Sequence, residues 1–447
     1  MALFYSNRSA KKSAKTTTLL NLTIQDLDYQ GLGVAKVNGK TWFVENALPQ
    51  EVVEATILEE KRQYGKAKTV QFKQKSLDRQ KPSCKLFEQC GGCQLQHIPI
   101  QLQRETKQKA LFQRLQRLQT APISFCPMII SEPQGYRRRA KLHLYWDKNT
   151  LYFGFRQAHS SKIITISACE VLEPELSSLL PKLQQLFSHW QNKKQLGHLE
   201  LVRADNTICL LLRHIAPLAP QDSDKLKSFA QQHKLSLFVM TEHDQIEHWL
   251  GERPYYQIDS LKLYFSIRDF IQINANLNNQ MVSTALDWLD LHSTDHVLDL
   301  FCGMGNFTLP IAQKVRKVVG IEGVEAMVEQ AKFNAEFNQI NNATFFQANL
   351  DQSFIDKPWA KDAFNKVLLD PARQGALFAL DHLCQLQPER IVYVSCNPAT
   401  LVRDTEKLIT EGYHISRCAM IDMFPHTAHL ESITLFERVE QANKRSI

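Results

Sequence analysis

Three groups of residues in this 447-residue chain are of types, and at spacings, that suit chemistry. The first is Cys396, in IVYVSCNPATLVRD, residues 391–404. The apolar run Ile391–Val394 reads as a buried strand that stops at Ser395-Cys396-Asn397-Pro398. The thiol therefore stands at a strand end, where open α/β sheets place their ligands. It is either core, since cysteine is among the most buried residue types, or a nucleophile. The second group is Cys84-x5-Cys90-Gly91-Gly92-Cys93, with Cys169 of SACEVLEP as a plausible fourth thiol. Four thiolates suit a tetrahedral zinc or a [4Fe–4S] cluster. A structural zinc usually uses paired C-x-x-C units, and here the fourth cysteine comes alone, so spacing leaves the two open.

The third group is Asp299-Leu300-Phe301-Cys302-Gly303-Met304-Gly305-Asn306, which closes a strand. Gly303 and Gly305 allow a tight turn and close approach of a ligand, and the helix that follows is expected to offer free N–H groups. A second strand, VVGI, ends at Glu322, 23 residues after Asp299, where an acid accepts hydrogen bonds from ribose hydroxyls. The pattern is G-x-G-N, with Phe307 and Thr308 where a dinucleotide loop wants its third glycine. An adenosyl group without phosphates, such as S-adenosylmethionine, is favoured over a dinucleotide. Asn349, after FFQANL, falls where an adenine contact is expected, and Cys302, inside the turn, reads as structural.

The surrounding text says which elements must position these groups. Residues 1–17 read as a mobile basic tail, and residues 18–77 as a small β-barrel of oligonucleotide-binding type. Four or five short β-like runs make up that barrel, with Asn38-Gly39 as a hairpin turn. Residues 78–270 form a mixed α+β region with the cysteine loop, an amphipathic helix near residues 99–119 that could pack on the catalytic domain, and the basic segment YRRRAKLHLYW. From residue 271 to 447 apolar strands alternate with helices, which predicts a doubly wound α/β domain with a largely parallel sheet.

The net charge is +7, with 44% hydrophobic and 22% charged residues. Between Lys81 and Lys141 eleven Lys and Arg face three acids, and Arg137-Arg138-Arg139 lies within that stretch, which points to a nucleic-acid partner. Ten cysteines are too sparse for a disulfide scaffold and suggest metal binding or catalysis. No uninterrupted apolar stretch reaches the roughly 18 residues of a membrane span. With no signal-peptide layout at the N-terminus either, a cytoplasmic location is the expectation. Neither a membrane nor an obligate protein partner is indicated, and a monomer is expected.

DLFCGMGNFTLP, LLDPARQG, VYVSCNPATLVRD, DMFPHTAHLES and DFIQINANLNNQM together resemble the RNA uracil-C5-methyltransferases that use S-adenosylmethionine, and the resemblance covers almost the whole chain. It implies a Rossmann-like methyltransferase domain, an N-terminal TRAM barrel and a central domain holding a [4Fe–4S] cluster on Cys84, Cys90, Cys93 and Cys169. By motif position it implies cofactor contacts at Gln272, Phe301, Asn306, Glu322, Asn349 and Asp370. Asp370-Pro371-Ala372-Arg373 departs from relatives that carry two successive prolines, although the ribosomal branch tolerates alanine there. The resemblance also implies Cys396 as nucleophile and Glu431, in His429-Leu430-Glu431-Ser432, as general base. By residue type alone Glu431 would be a surface carboxylate. Barrel plus cysteine cluster resembles the branch that methylates 23S ribosomal RNA; another 23S or transfer RNA uridine is the alternative.

The chemistry explains why a thiolate and a carboxylate are both needed. Uracil C5 is a poor nucleophile until a thiolate adds to C6, and the C5 proton must then leave to a base. Loop N–H groups, Arg403 and Arg373 are the candidates for stabilising the Cys396 thiolate. A non-catalytic RNA-binding factor has no need for Cys396 and Glu431 together. An iron–sulfur oxidoreductase needs the missing third glycine.

Overall fold

The computed structural model describes residues 19–193, 196–241 and 243–439, so the tail expected over residues 1–17 lies outside the described residues. The chain divides into two compact units, one running to Lys81 and including His97–Thr106, the other made of Pro82–Gln96 and the chain from Lys107 onward.

In the first unit, six strands between Leu19 and Gln74 form one sheet among the described residues. Alternation sends Leu22, Ala35, Trp42, Val44, Val53, Ala55 and Ala67 into one apolar interior. Asn38 and Gly39, both at positive φ, make the tight turn between Gly33–Val37 and Lys40–Glu45.

The second unit holds two large sheets. The seven-stranded one runs, in spatial order, Ile163–Thr165, Thr150–Arg156, Arg139–Asp147, Leu196–Arg203, Ile208–His214, Leu235–Met240 and Ile246–Leu250. The helices Pro174–Ser188 and Pro220–Gln232 cover one face, setting Leu180, Leu183, Phe187 and Leu226 against Leu142, Phe153, Leu201 and Leu212.

The eight-stranded sheet carries the site. Its order is Ala343–Gln347, Lys317–Glu322, His296–Leu300, Lys366–Leu369, Arg390–Ser395, Glu431–Arg438, Tyr413–Ile421 and Ser124–Phe125. The first five strands are mutually parallel, as the alternating text predicts, and the near-continuous burial of all but the edge strand Ala343–Gln347 fits a sheet covered on both faces. Glu431–Arg438 then runs antiparallel to Arg390–Ser395. That reversal brings the start of one strand to the end of its neighbour. Among the described residues no helix is long and apolar enough to cross a membrane.

Candidate active site

The site lies along the edge where the parallel strands end. Parallel pairing aligns Leu300 with Leu369 and Leu369 with Tyr393, so Phe301 and Asp370 leave neighbouring strands at one level. Glu322 closes the next strand on the other side. Ser395 pairs with Ser432 in the antiparallel ladder. Cys396 follows the first of these serines and Glu431 precedes the second, so backbone register alone sets the thiol and the carboxylate at the same end of adjoining strands.

Burial dominates the electrostatics here. Glu431 is buried, and that burial, aided by the charge of Asp370 and opposed by Arg373, pushes its carboxyl up to about 8. One of its oxygens, Oε2, has no hydrogen-bond partner. Burial raises Asp370 to about 7 and, with Asp370 and Glu322 nearby and a Thr308 hydrogen bond opposing, Asp299 to about 8. Thr308 Oγ1 donates to Asp299 Oδ2 at 2.5 Å, while Oδ1 is buried without a partner. These three acids share a strand edge where their charged forms are disfavoured until a cation arrives.

Cys396 is half-buried. Burial, then the charges of Glu431 and Asp370, push its thiol up to about 11, against Arg373 and its own backbone N–H. Of the stabilisers expected from sequence, Arg373 does act on the thiol. Arg403 is committed elsewhere: its Nε donates to Asp404 Oδ1 at 2.8 Å and its Nη2 to the Gln374 carbonyl at 2.8 Å. Asp404, fully buried, also accepts from Tyr393 Oη at 2.7 Å and the Ala376 N–H at 2.6 Å, so this network latches the 371–376 loop. Asn397 caps the helix Pro398–Thr410 and donates to the Arg373 carbonyl at 3.0 Å, fixing that loop beside the thiol.

In the glycine turn, Phe301 has φ of 65°, Gly303 55° and Gly305 99°. The left-handed phenylalanine is a strained position that no pattern in the sequence marks. Glu322 is held by the turn itself, Oε2 accepting from Gly303 N–H at 3.1 Å and Oε1 from Val324 N–H at 3.0 Å. The helix after the turn is only Thr308–Ala312, shorter than the strand–turn–helix reading expects, so it offers little dipole. Asn306 spends its amide on the protein: Oδ1 accepts from Tyr256 Oη and Asn278 Nδ2, both at 3.0 Å, and Nδ2 donates to Asn278 Oδ1 at 3.1 Å. Asn349 is exposed on the rim, its Oδ1 accepting from the Asp351 N–H at 3.0 Å. Gln272 is buried, with Oε1 unpartnered.

The arginine triplet corrects the charge reading. Arg138 is 2% exposed, donates from Nε to the Gln272 carbonyl at 2.7 Å and stacks on Tyr256, the residue that holds Asn306. Arg139 donates to the Asp269 carbonyl at 2.6 Å and to Glu200 at 2.8 Å. Arg137 Nε donates to the Arg139 carbonyl. Arg138 and Arg139 tie the 267–273 segment to the seven-stranded sheet. Alternation along the strand, one arginine in and its neighbours out, was the available signal.

The three loop cysteines share one neighbourhood with Cys169. Burial, then the charges of Cys169, Cys90 and Cys84, push Cys93 up to about 12. Burial leads the raising of Cys90 and Cys169 as well. Cys90 Sγ accepts from the Gly92 N–H at 3.4 Å, and the N–H groups of Val171 and Leu172 act on Cys169. Among the described residues, no three His, Cys, Asp or Glu stand in an arrangement that holds a metal ion. The donor chemistry nonetheless fits a thiolate-bound group: the sulfurs would repel one another as thiolates, which a cation would offset, and backbone N–H groups point at two of them. The cysteine loop also braces the chain before Glu431, because the Gln94 and Leu95 N–H groups donate to the His426 carbonyl at 2.9 and 3.0 Å and Tyr136 Oη to Pro425.

A ligand site at the strand ends of a doubly wound sheet, with thiol and carboxylate on adjoining strands, defines a methyltransferase of the Rossmann-like class. The model of the tRNA (Uracil-5-)-methyltransferase family matches residues 100–439, and a TRAM domain matches residues 16–70; the chain belongs to that family. It is 58% identical to the 23S rRNA (uracil(1939)-C(5))-methyltransferase RlmD of Haemophilus ducreyi over 98% of this chain and 100% of that one. The protein of the same name from Erwinia tasmaniensis is 48% identical over 98% and 100%. The structure resembles that of the Pyrococcus abyssi tRNA (uracil-54, C5)-methyltransferase in complex with S-adenosyl-L-homocysteine, with a TM-score of 0.72 at 23% identity, covering 93% of this chain and 100% of that one.

Proposed function

We propose that this enzyme transfers a methyl group from S-adenosylmethionine to C5 of one uridine in 23S ribosomal RNA. The observation that supports it most is the Ser395–Ser432 register, which sets Cys396 beside Glu431; the names of the full-length relatives supply the RNA.

Cys396 Sγ, as thiolate, adds to uracil C6 and electrons move onto the C4 carbonyl. C5 then attacks the sulfonium methyl, and S-adenosylhomocysteine leaves. Glu431 takes the C5 proton, the C6–S bond breaks, and 5-methyluridine and thiolate are restored. The methyl donor is bound by Gln272, the Phe301–Asn306 turn, Glu322, Asn349 and Asp370. Its sulfonium charge favours ionised carboxylates along this edge, which suits Glu431 to its role as base. Asn306 contributes mainly by holding the turn. Both faces of the uracil must be reached, so the base leaves its stack, and loops are the RNA elements from which it leaves most easily. The barrel serves RNA binding.

Cys84, Cys90, Cys93 and Cys169 would hold a [4Fe–4S] cluster, whose cationic irons would offset four mutually repelling thiolates. Methyl transfer consumes no electron. The role of this site is to stiffen the loop whose Gln94 and Leu95 N–H groups hold the His426 carbonyl, ahead of Glu431 in the chain.

The test is to map 5-methyluridine in ribosomal and transfer RNA from cells with and without the protein. Loss from a single 23S uridine is expected; loss confined to transfer RNA overturns the assignment.

A further inference from the structure

Two helices cover one face of the seven-stranded sheet, and its other face is divided. On the strands Leu196–Arg203, Ile208–His214 and Leu235–Met240, the residues Val202, Cys209, Leu211, Phe238 and Met240 join the core that also contains Tyr256, Phe265 and Leu277. No comparable apolar residues occupy the strands Arg139–Asp147 and Thr150–Arg156. There the register places His143 opposite both His198 and Gly154, and Tyr145 opposite Tyr152. Lys141, His143 and Tyr145 alternate with buried Leu142 and Leu144, so they share the open face.

The strip has two properties that select a ligand. Tyr145 is 56% and Tyr152 36% exposed, with ring centroids 6.2 Å apart, so both present ring surface to solvent. The charge is positive: burial, then Arg156, Lys141 and His198, all push His143 below its ordinary value. Two acids share this face: Glu200, matched by Arg139 at 2.8 Å, His198 at 3.3 Å and Lys141 at 3.9 Å, and the exposed Asp147 beyond Tyr145; Arg139, Lys141 and Arg156 outnumber them. Arg139, on the same strand as the strip, bonds the Asp269 carbonyl, three residues before Gln272.

We propose that the strip formed by Lys141, His143, Tyr145, Tyr152, Arg156 and His198 is a docking track for unpaired RNA flanking the target uridine. Tyr145 and Tyr152 stack on bases, Lys141 and Arg156 meet phosphates, and the track feeds the strand into the site past Arg139. A flat sheet face with aromatic rings and cations is one of the recurring ways proteins hold single-stranded RNA. The proposal rests on the functional reading above.

The test uses the full-length protein with a 23S fragment and S-adenosylmethionine. Tyr145→Ala/Tyr152→Ala is expected to weaken RNA binding and raise KM about tenfold or more, with kcat and S-adenosylmethionine binding unchanged. Tyr145→Phe/Tyr152→Phe, which keeps the rings, should restore wild-type KM. Lys141→Gln/Arg156→Gln should flatten the dependence of log Kd on log salt by about 1.4, the value for two phosphate contacts to a single strand. If the wild type forms 5-methyluridine in the fragment and the variants show the same KM and salt slope, the track is overturned alone. If the wild type leaves C5 unmethylated, the functional reading falls and takes the track with it.

Discussion

Cys396 and the Cys84–Cys93 loop with Cys169 place thiols in opposite electrostatic settings within the second unit. Cys396 stands alone among acids, raised to about 11 by burial and by Glu431 and Asp370, with Arg373 as its opposing cation. The loop cysteines stand together, with one another's charge adding to burial and N–H groups aimed at the sulfurs. A reactive thiol needs to be released as anion only when substrate is in place, and an acidic pocket achieves this by keeping it protonated until then. A ligand set needs all its sulfurs anionic at once, which only a multivalent cation permits. On the proposed function the same side chain is gated in one place and would be committed to a metal in the other.

The sharpest way to break that contrast is Cys396→Ala. Methyl transfer should fall on the order of 10⁴-fold or more, with S-adenosylmethionine binding retained, as read by tritiated methyl incorporation and equilibrium binding. Full activity would remove the covalent route. Glu431→Gln should slow turnover by about 10² to 10⁴-fold and trap a denaturation-resistant protein–RNA adduct on gels. A free-running band with equally slow turnover would point to another base.

Arg373→Met sharpens the electrostatic half of the comparison. Arg373 lowers the pKa of both Cys396 and Glu431, so its removal raises both, and thiolate and carboxylate then form only at higher pH. The rising limb of kcat/KM against pH should move upward and activity should recover in alkali. A limb displaced by a full pH unit would cost about tenfold near neutrality. An unmoved limb would show that this guanidinium does not set the titration. The smallest effect on methyl transfer is expected from Cys93→Ser. That change should abolish a broad absorbance near ~400 nm in anaerobically purified protein and lower the melting temperature. A colourless wild type containing stoichiometric zinc would decide against iron.

Much of this was legible in the chain. Ile391–Val394 reads as a buried strand because four consecutive apolar residues fit a sheet covered on both faces, and the ladder Arg390–Ser395 matches it. The helix read near residues 99–119 runs Ile100–Gln116. Long-range register was not legible. Glu431 looks like a surface carboxylate until Ser432 is paired with Ser395 and the acid proves buried. Arg138 failed for a related reason: charge counts as exposed in a sequence, and only the fold shows one guanidinium turned inward to the Gln272 carbonyl. The left-handed Phe301 has no local signal, since glycine or asparagine is the usual occupant of that conformation.

The pairing of Ser395 with Ser432 means that the gap between the attacking and proton-accepting groups is gauged by the peptide ladder and not by any side-chain contact. Such a gauge tolerates substitution of its outward residues, because hydrogen bonds between main chains are blind to what they carry. It does not tolerate a change of length: one residue inserted in either strand would turn every following side chain to the opposite face and carry one partner away from the other. Across homologous chains, insertions should therefore collect in loops away from this seam.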